Sequence, residues 1–226
     1  MTILPDPAPL FERYEILAHE ADTAFSRVKD AFPQCLSCRE GCSDCCHALF
    51  DLPFVEAAYL NHIFVNAFPS GQERSAIMER AHDADRKIHT IKRRAFKAEQ
   101  AREDINAILA SMAKERVRCP LLDSNDRCVL YAARPITCRI YGIPTAVGGK
   151  GHVCGKSAFA PGKSYPTVNL DRIHERLASL SLEFASHMKS EYSAIHTVLV
   201  PVSMALTTTY DAAYYGIGKN RGRNRG

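Results

Sequence analysis

The sequence predicts a mainly α-helical protein, a helical bundle that carries one small, irregular, cysteine-rich module. Three observations support this fold class. Long stretches repeat apolar residues at steps of three and four positions, as on one face of an α-helix. No alternation of strand and helix patterns runs along the chain, so the architecture is expected to be mostly helical. Five of the nine cysteines fall in the stretch CLSCREGCSDCC, residues 35–46, where neither pattern is present.

Length and composition describe an ordinary globular domain. The chain has 226 residues, of which 46% are hydrophobic and 24% are charged, which is enough to bury a sizeable core. We expect residues 1–215 to form a single helical domain. The segment 216–226, GIGKNRGRNRG, cannot bury apolar surface and is expected to be a disordered basic tail. It accounts for the whole net charge of +4, so nucleic-acid binding is not expected apart from weak contacts of this tail.

The N-terminal segment and the apolar runs predict a cytoplasmic protein without membrane association. Residues 1–15, MTILPDPAPLFERYE, lack the basic and apolar regions of a secretory signal. No apolar run reaches the roughly 18 residues that a membrane span needs. In a reducing compartment, clustered cysteines serve as metal ligands or redox groups more often than as disulfides. The odd number of cysteines, nine, also disfavours a fully paired set.

Three segments predict ordinary helices, at about 9–32, 53–68 and 169–190. In the first and the third, apolar residues repeat on one helical face. The second segment begins with a proline suited to a first turn and ends before Pro69.

The segment 70–116 is predicted to be a long helical insertion. No glycine or proline occurs in its main stretch, 72–119, and Arg102 is the one break in a heptad repeat. Ser70 and Glu73 have the spacing of a capping box. An unbroken helix would be about 65–70 Å long, so we expect it to bend, to split near the polar stretch AHDADRKIHT, or to pack along the first helix. Packing within one bundle is favoured over a dimeric coiled coil.

The cysteine-rich module comprises about residues 35–52 and 119–157. Its first part holds two CxxC pairs, and each pair places two sulfurs one turn apart, close enough to share a metal ion. The pairs are Cys35 with Cys38 and Cys42 with Cys45. In its second part, Cys154 lies in a glycine-rich loop at 142–163 that can fold around a site.

The other cysteines of the second part lie beside turn and helix signals. Cys119 and Cys128 flank the stretch DSND, which predicts a small hairpin or tight loop that brings them together. Pro135 is suited to begin a short helix that ends at Gly142. Cys138 would then lie in the first turn, where free N–H groups and the helix dipole stabilise a thiolate.

Thiolate sulfur binds zinc, cuprous copper and iron–sulfur clusters strongly. Cys45 and Cys46 are adjacent, and we expect their side chains to point apart, toward two irons of a cluster more readily than toward one ion. His47 and His152 lack ligand spacing. An all-cysteine set suits an iron–sulfur cluster and also a four-cysteine zinc site. We favour one or two iron–sulfur clusters, [4Fe–4S] first, over zinc; the thiols could also fill one site and leave the others in the core.

Two stretches, CREGCSDCC and CPLLDSNDRCVLYAARPITCRIYG, resemble the YkgJ-type cysteine-cluster family, the zinc- or iron-chelating CxxCxxCC domain. In the first stretch, three residues rather than two separate Cys38 from Cys42, and Cys35 is an addition. The resemblance covers about residues 35–154. In the second stretch the residues that match the family pattern in order are Cys119, Pro120, Leu121, Leu122, Cys128, Leu130, Tyr131, Arg134, Pro135, Cys138 and Arg139.

The resemblance implies a metal centre and leaves open whether Cys35 or Cys38 joins Cys42, Cys45 and Cys46 as a ligand; we take Cys35 as the spare cysteine. Arg134 and Arg139 are expected to orient the module by bonding carbonyl groups or a carboxylate such as that of Glu56, a role favoured over offsetting the charge of a cluster. The ligands that the resemblance implies, together with the spacings, are Cys38, Cys42, Cys45, Cys46, Cys119, Cys128, Cys138 and Cys154.

The expected function is iron–sulfur cluster binding, with a redox role or a role in protein modification or methyl transfer. A similar cysteine domain occurs in flagellin lysine N-methylases, which is the basis for the second role. One alternative is a zinc-binding structural or adaptor protein. Another is an S-adenosylmethionine-linked, lysine methylase-like enzyme. No catalytic residue is predicted, and a protein or redox partner is expected.

Overall fold

The computed structural model describes residues 3–217. Its α-helices are α1 (Ala8–Ala31), α2 (Phe54–Ala67), α3 (Gln72–Gln100), α4 (Ile105–Met112), α5 (Ile136–Ile140), α6 (Leu170–His187) and α7 (Val202–Thr207). Its strands are β1 (Asp51–Pro53), β2 (Thr145–Val147), β3 (Lys150–His152), β4 (Val168–Asn169) and β5 (Leu199–Pro201). The predicted basic tail lies outside the described residues from position 218 onward.

The prediction of a mainly α-helical fold is confirmed. The three segments predicted as ordinary helices are α1, α2 and α6, with ends within a few residues of those predicted. The start of α6 has a clear physical cause, because the Asn169 side-chain oxygen accepts a hydrogen bond from the Arg172 N–H at 3.1 Å. None of the helices found between residues 3 and 217 combines the length and apolar character needed to cross a membrane.

The main core lies where α1, α2, α5, α6 and α7 meet, and aromatic rings fill its centre. Phe54, at the start of α2, and Phe184, on α6, have ring centroids 5.5 Å apart. Phe11, on α1, stacks on Phe184 at the same distance. Each large buried side chain of this kind stabilises the fold by roughly 1.5–3 kcal/mol. The core therefore fixes α1, α2 and α6 against one another.

The long segment splits at Arg102, not at the polar stretch AHDADRKIHT, so that expectation is wrong. Arg102 follows the end of α3 with a φ of +59°. The Glu103 N–H donates to Ala98 O at 3.1 Å and the Arg102 N–H donates to Glu99 O at 2.9 Å. This pair of hydrogen bonds is a Schellman motif, which ends a helix through one left-handed residue. The break in the heptad repeat at Arg102 thus marks the end of the helix.

The start of α3 also differs from the prediction. Gly71, with a φ of +101°, occupies the N-cap position, and no side chain caps the helix. The capping box between Ser70 and Glu73 is therefore not formed. The box does not form because Gly71 lies between Ser70 and the first residue of α3, so Ser70 is not the N-cap residue.

The helix α3 packs against α7, whereas α1 packs against α2, α5 and α6, so the expected packing of the insertion along the first helix is wrong. The Ser203 hydroxyl of α7 donates to the Asp85 carboxylate of α3 at 3.3 Å. Pairing of β1 with β5, where Asp51 faces Pro201, brings α7 beside α2 and α3. The residues Ala84, Ile88, Ile91 and Val117 form a second, smaller apolar cluster.

A small three-stranded sheet, ordered β3-β2-β4, lies within and after the glycine-rich loop. Strands β2 and β3 form an antiparallel hairpin. The connecting residues Gly148 and Gly149 have φ values of +55° and +74°, as a two-residue type I′ turn requires. The hairpin corrects the expectation of an irregular loop at 142–163, and the Gly-Gly pair is the sequence signal for its turn.

The Schellman motif at Arg102 leads to a stability prediction. A side chain at a left-handed position costs roughly 1 kcal/mol that glycine does not incur. We expect Arg102→Gly to raise the free energy of unfolding by about 0.5–1 kcal/mol, and Arg102→Ala to leave it nearly unchanged. Urea denaturation of both variants measures this. Equal stability of the glycine and alanine variants would show that the helix does not end at this residue.

Candidate metal centre

One cavity of about 570 Å³ opens beside α5. Its wall contains the eight cysteines predicted as ligands, namely Cys38, Cys42, Cys45, Cys46, Cys119, Cys128, Cys138 and Cys154. Cys35, the predicted spare, is outside the wall and is packed into the main core. The fold therefore brings together, in one place, cysteines that are far apart in the sequence.

Backbone pairing joins the two halves of the cysteine-rich module. The Cys119 N–H donates to Cys46 O at 2.7 Å, and the Val117 N–H donates to His47 O at 3.0 Å. Ala48 and Arg116 form an antiparallel bridge beside them. Because these hydrogen bonds join backbone groups, the position of Cys119 next to Cys46 does not depend on side-chain contacts.

The predicted hairpin between Cys119 and Cys128 is present. Leu122 and Cys128 form an antiparallel bridge across it. At its turn the Asp123 carboxylate accepts hydrogen bonds from the Asn125 and Arg127 N–H groups, both at 2.8 Å. This side chain closes the turn in the manner of an Asx turn and returns Cys128 to the cavity.

Cys45 and Cys46 do not point apart. The expectation that they face two different irons, which favoured a cluster over a single ion, is therefore wrong. They lie in a 3₁₀ helix, Asp44–His47, and their sulfurs are 3.9 Å apart. In an extended chain they would face opposite sides, but the tight helical turn brings them together. A tetrahedral ion with bonds of about 2.3 Å to sulfur has ligands about 3.8 Å apart. The pair can therefore share one ion.

The contact between these two thiols also shifts their pKa values in opposite directions. The Cys46 thiol, as hydrogen-bond donor, lowers the pKa of Cys45 to about 7. The same contact raises the pKa of Cys46, because its proton is held between the two sulfurs. Cys45 is thus the member of the pair that more readily becomes a thiolate.

Cys138 lies in the first turn of α5, as predicted, but its thiol is not activated there. Burial raises the pKa of Cys138 well above its usual value, and the charges of Cys45, Cys119 and Cys128 raise it further. Burial outweighs the helix dipole because α5 is only one turn long and faces the core. The expectation of a stabilised thiolate is therefore wrong for the metal-free protein.

The helix α5 is fixed at its start by Glu56, a buried residue of α2. One Glu56 carboxylate oxygen accepts hydrogen bonds from the Ile136 N–H at 2.8 Å and from the Tyr14 hydroxyl at 2.7 Å. Burial raises the pKa of Glu56, while the hydrogen bond from Ile136 opposes the rise. Glu56 is thus a capping residue for the helix that carries Cys138.

The carboxylate that binds the two arginines of the Arg-Pro and Cys-Arg motifs is Asp22, not Glu56, which corrects the expected partner. Asp22, on α1, pairs with Arg134 at 2.9 Å and also with Arg139. The Arg139 Nε donates to Arg134 O at 2.8 Å, so the expected carbonyl contacts are present. Glu56 was the wrong choice because its oxygen is already used by the Ile136 N–H.

Asp44 is a central residue of the cavity wall that the sequence analysis missed. Its carboxylate accepts hydrogen bonds from the Tyr141 hydroxyl at 2.9 Å and from Arg116 at 2.8 Å. The Cys154 sulfur lies 3.7 Å from Oδ2, the oxygen that also accepts from Tyr141. The Lys156 Nζ lies 3.5 Å from Oδ1, the oxygen that Arg116 contacts. Burial raises the pKa of Asp44, but Tyr141 and Arg116 together bring it below its usual value. The only sequence signal was its position inside the second CxxC pair.

Cys38 is an exposed residue whose sulfur nevertheless packs against the chain. Its Sγ lies 3.7 Å from Tyr141 O, and Gly142, with a φ of +104°, leaves room for it. Burial of the thiol, followed by the charges of Cys42 and Cys154, raises the pKa of Cys38 to about 11. Gly142 is therefore needed both for its backbone angle and for the space beside Cys38.

Comparison with known proteins gives one positive result. The family model CxxCxxCC, described as "Putative zinc- or iron-chelating domain", matches residues 37–155, which is more than half of the chain. The chain belongs to the CxxCxxCC family. The matched range contains all eight cysteines of the cavity and leaves Cys35 outside. Searches of curated proteins and of solved structures each found no match.

The donor chemistry of this CxxCxxCC domain fits a soft metal or an iron–sulfur cluster. No histidine occurs among the described residues of the cavity wall. As the side chains stand, no three His, Cys, Asp or Glu residues between positions 3 and 217 are arranged to hold one ion. Burial raises the pKa of Cys119 to about 12 and also raises that of Cys128. A bound cation would offset this cost and favour the thiolates.

Replacement of Gly142 by alanine is expected to distort the Cys38 side of the cavity. A Cβ atom at this position would lie 2.4 Å from Cys38 Sγ. At Gly149, with a φ of +74°, a new Cβ would have no atom within 4 Å, so Gly149→Ala is a control for backbone strain alone. We expect losses in unfolding free energy of about 1 kcal/mol for Gly149→Ala and about 2–3 kcal/mol for Gly142→Ala. Equal losses in urea denaturation would contradict the contact.

Removal of the Asp22 charge is expected to destabilise the domain. The Arg139 side chain is 8% exposed and Asp22 is 32% exposed, so Asp22→Asn leaves a nearly buried guanidinium without its counter-charge. The partial exposure of Asp22 reduces the usual cost of a broken buried pair, and we expect about 2 kcal/mol. On the same helix, Glu20 pairs with Arg176 with both side chains about half exposed, so Glu20→Gln should cost at most about 1 kcal/mol. Thermal denaturation compares the two, and equal losses would refute the special role of Asp22.

Proposed function

We propose that the cavity cysteines bind iron as one or two iron–sulfur clusters, [4Fe–4S] first, and that the protein is a YkgJ-type cluster protein of the cytoplasm. The observation that supports this proposal is the cavity wall itself. It collects eight thiols and, within the described part of the chain, no histidine. All-cysteine ligation by four thiolates is the usual mode of binding for these clusters.

The number of thiols and the size of the cavity favour clusters over a single zinc ion. A structural zinc ion uses four ligands in a closed tetrahedron, which would leave half of these cysteines unused. The cavity volume of about 570 Å³ also exceeds the space that one ion needs. Partial burial of the cysteines would shelter a cluster from water, which is one of the factors that set its reduction potential.

When bound, an iron–sulfur cluster supplies one-electron transfer. The chain contributes groups that would act on the sulfurs around it. The Lys156 N–H donates to Cys154 Sγ at 3.5 Å, and hydrogen bonds to ligand sulfurs tune a cluster's potential. Arg116 offsets the charge of Asp44 beside the same sulfur. Cys38 lies at the exposed side, where a redox partner or a protein to be modified would approach.

Zinc remains the second candidate because of one distance. The separation of 3.9 Å between the Cys45 and Cys46 sulfurs matches the edge of a tetrahedron around a single ion, about 3.8 Å. In that case the metal would serve to fold the module, and the protein would act as a structural or adaptor protein.

Metal and sulfide analysis after anaerobic purification tests the proposal. We expect iron with an equal amount of acid-labile sulfide in the unmodified protein. Cys138→Ser should lose most of both, because Cys138 lies in the cavity wall. Cys35→Ser is the matched control and should keep both, because Cys35 faces the core.

Two results would contradict the proposal. Zinc without iron or sulfide would select the zinc-binding alternative. Full iron and sulfide content in Cys138→Ser, with an unchanged melting temperature, would show that Cys138 is not a ligand.

A further inference from the structure

The opening of the cavity carries more positive than negative charge. Among the described residues, seven charged side chains both line the cavity and are exposed, so they lie at its opening. Two of them, Glu40 and Asp126, are acidic, and the other five are basic. We call these five the basic rim: Lys29, Arg39, Arg118, Arg127 and Lys156.

This surplus is a local feature of the molecule. The four basic residues between positions 219 and 225 account for the whole net charge of +4, so the rest of the chain is neutral on balance. Three more positive than negative charges at one opening are therefore a concentration of charge on a neutral body. Such a concentration attracts a partner of opposite charge and speeds its association.

The charges of the basic rim are available to a partner. Within residues 3–217, neither the Lys29 nor the Arg39 side chain has an ion pair or a hydrogen bond. Arg127 pairs with Glu40 at 2.7 Å, but the two side chains are 66% and 78% exposed. An ion pair that is so exposed contributes little to stability, so Arg127 can exchange Glu40 for a carboxylate of a partner.

The side chains of Lys156 and Arg118 are directed to groups other than the thiols. The contact of Lys156 with Cys154 Sγ comes from its backbone N–H, whereas its side chain approaches Asp44. The Arg118 side chain turns to the hairpin, where it donates to Asp123 O at 2.6 Å. These two basic groups therefore do not serve as hydrogen-bond donors to the sulfurs.

An aromatic side chain stands beside the basic rim in a fixed position. Tyr131 lines the cavity and is 65% exposed. The Arg134 guanidinium lies 4.1 Å from the centre of its ring, and Arg134 itself is 18% exposed and pairs with Asp22. A tyrosine held in this way loses little conformational freedom when it is covered, and tyrosine is enriched among the residues that dominate protein–protein binding. Tyr131 therefore offers a rigid anchor for a protein surface.

We propose that the basic rim and Tyr131 together form a docking surface for a partner protein with a carboxylate-rich face. This inference rests on the proposed function, in which a partner approaches the exposed Cys38 at the same opening, and it adds the chemistry of that partner. A protein fits better than a nucleic acid, because Glu40 and Asp126 stand among the rim residues and would repel a continuous row of phosphates. Carboxylates on a folded surface can be placed to avoid them.

Binding of a defined acidic peptide to the anaerobically purified full-length chain tests this surface. The probe is a fluorescently labelled polyglutamate peptide with one central leucine, and fluorescence anisotropy measures its Kd at low salt. The double variant Arg39→Glu with Arg127→Glu should weaken binding about tenfold or more. Tyr131→Ala should weaken it about threefold, because the leucine loses its contact. Salt at about 0.15 M should reduce the effect of the double variant, because it screens exposed charges.

A second double variant is the matched control for charge. Arg13→Glu with Arg176→Glu makes the same change in net charge, and neither residue lines the cavity. Both side chains are about half exposed, at 52% and 51%, and both are ion-paired, as Arg127 is. We expect this control to change the Kd less than about twofold. Because residues 218–226 are the same in every variant, attraction of the peptide to these basic residues affects all of them alike.

Several results would overturn the inference. Equal weakening by the two double variants would show that the peptide responds to net charge and not to the basic rim. Unchanged binding in Tyr131→Ala would exclude the anchor. Loss of iron from the rim variant without loss of peptide binding would assign the rim charges to the metal site. Tighter, rim-dependent binding of a single-stranded oligothymidylate would assign the surface to nucleic acid.

Failure of the proposed function would be seen separately. Metal and sulfide analysis of the same unmodified sample shows whether the cysteines hold iron. Rim-dependent binding by protein without iron or sulfide would keep the docking surface and contradict the proposed function, whereas iron-containing protein that binds no peptide would do the reverse. Where the rim variant fails to fold, Lys29→Glu, in the last turn of α1, takes its place and should weaken binding about threefold.

Discussion

The backbone pairing between the chain at Cys46 and the chain at Cys119 is the contact on which the site depends. The helices α2, α3 and α4 all lie between these two residues in the sequence. The hydrogen bond of 2.7 Å from Cys119 N to Cys46 O joins the two ends of that whole segment. The entropic cost of closing a loop grows only slowly with its length. A long helical insertion can therefore be accommodated without moving the cysteines, provided that its two ends remain paired.

Two carboxylates fix the position of α5, the helix that carries Cys138. Glu56 caps the start of α5 through the Ile136 N–H, and Asp22 pairs with Arg134 and Arg139 at its two ends. Both carboxylates come from long helices that are fixed by the core. The position of Cys138 is thus set by polar contacts to α1 and α2. Because the aromatic core holds these two helices in place, the contacts also hold this part of the cavity wall in place.

The sequence was sufficient for the elements that depend on a local pattern. The apolar repeat predicted α1 and α6, and the prolines at 53 and 69 predicted the bounds of α2, because these patterns are properties of single segments. The family resemblance, together with the cysteine spacings, indicated the eight cysteines that line the cavity; by spacing alone, Cys35 would have paired with Cys38. The end of α3 was predicted at the wrong place because the helix ends at a left-handed arginine, Arg102, and not at the glycine that usually marks such an end. The polar stretch AHDADRKIHT suggested a break that packing against α7 does not require.

Features that depend on tertiary contacts could not be predicted in the same way. Asp22 is one of several acidic residues on α1, and only the approach of α5 singles it out. The side-by-side arrangement of Cys45 and Cys46 depends on a 3₁₀ turn that no residue of the stretch specifies. Asp44 gains its role from Tyr141 and Arg116, which lie in other parts of the module.

The central claim is that sulfurs from distant segments converge on inorganic atoms in this cavity. X-ray absorption spectroscopy at the edge of the metal in anaerobically purified protein measures this most directly. The account predicts a coordination shell of sulfur alone, at about 2.3 Å as for thiolate bound to zinc. A shell dominated by nitrogen or oxygen would contradict it, because the cavity wall supplies thiols and, within the described residues, no histidine.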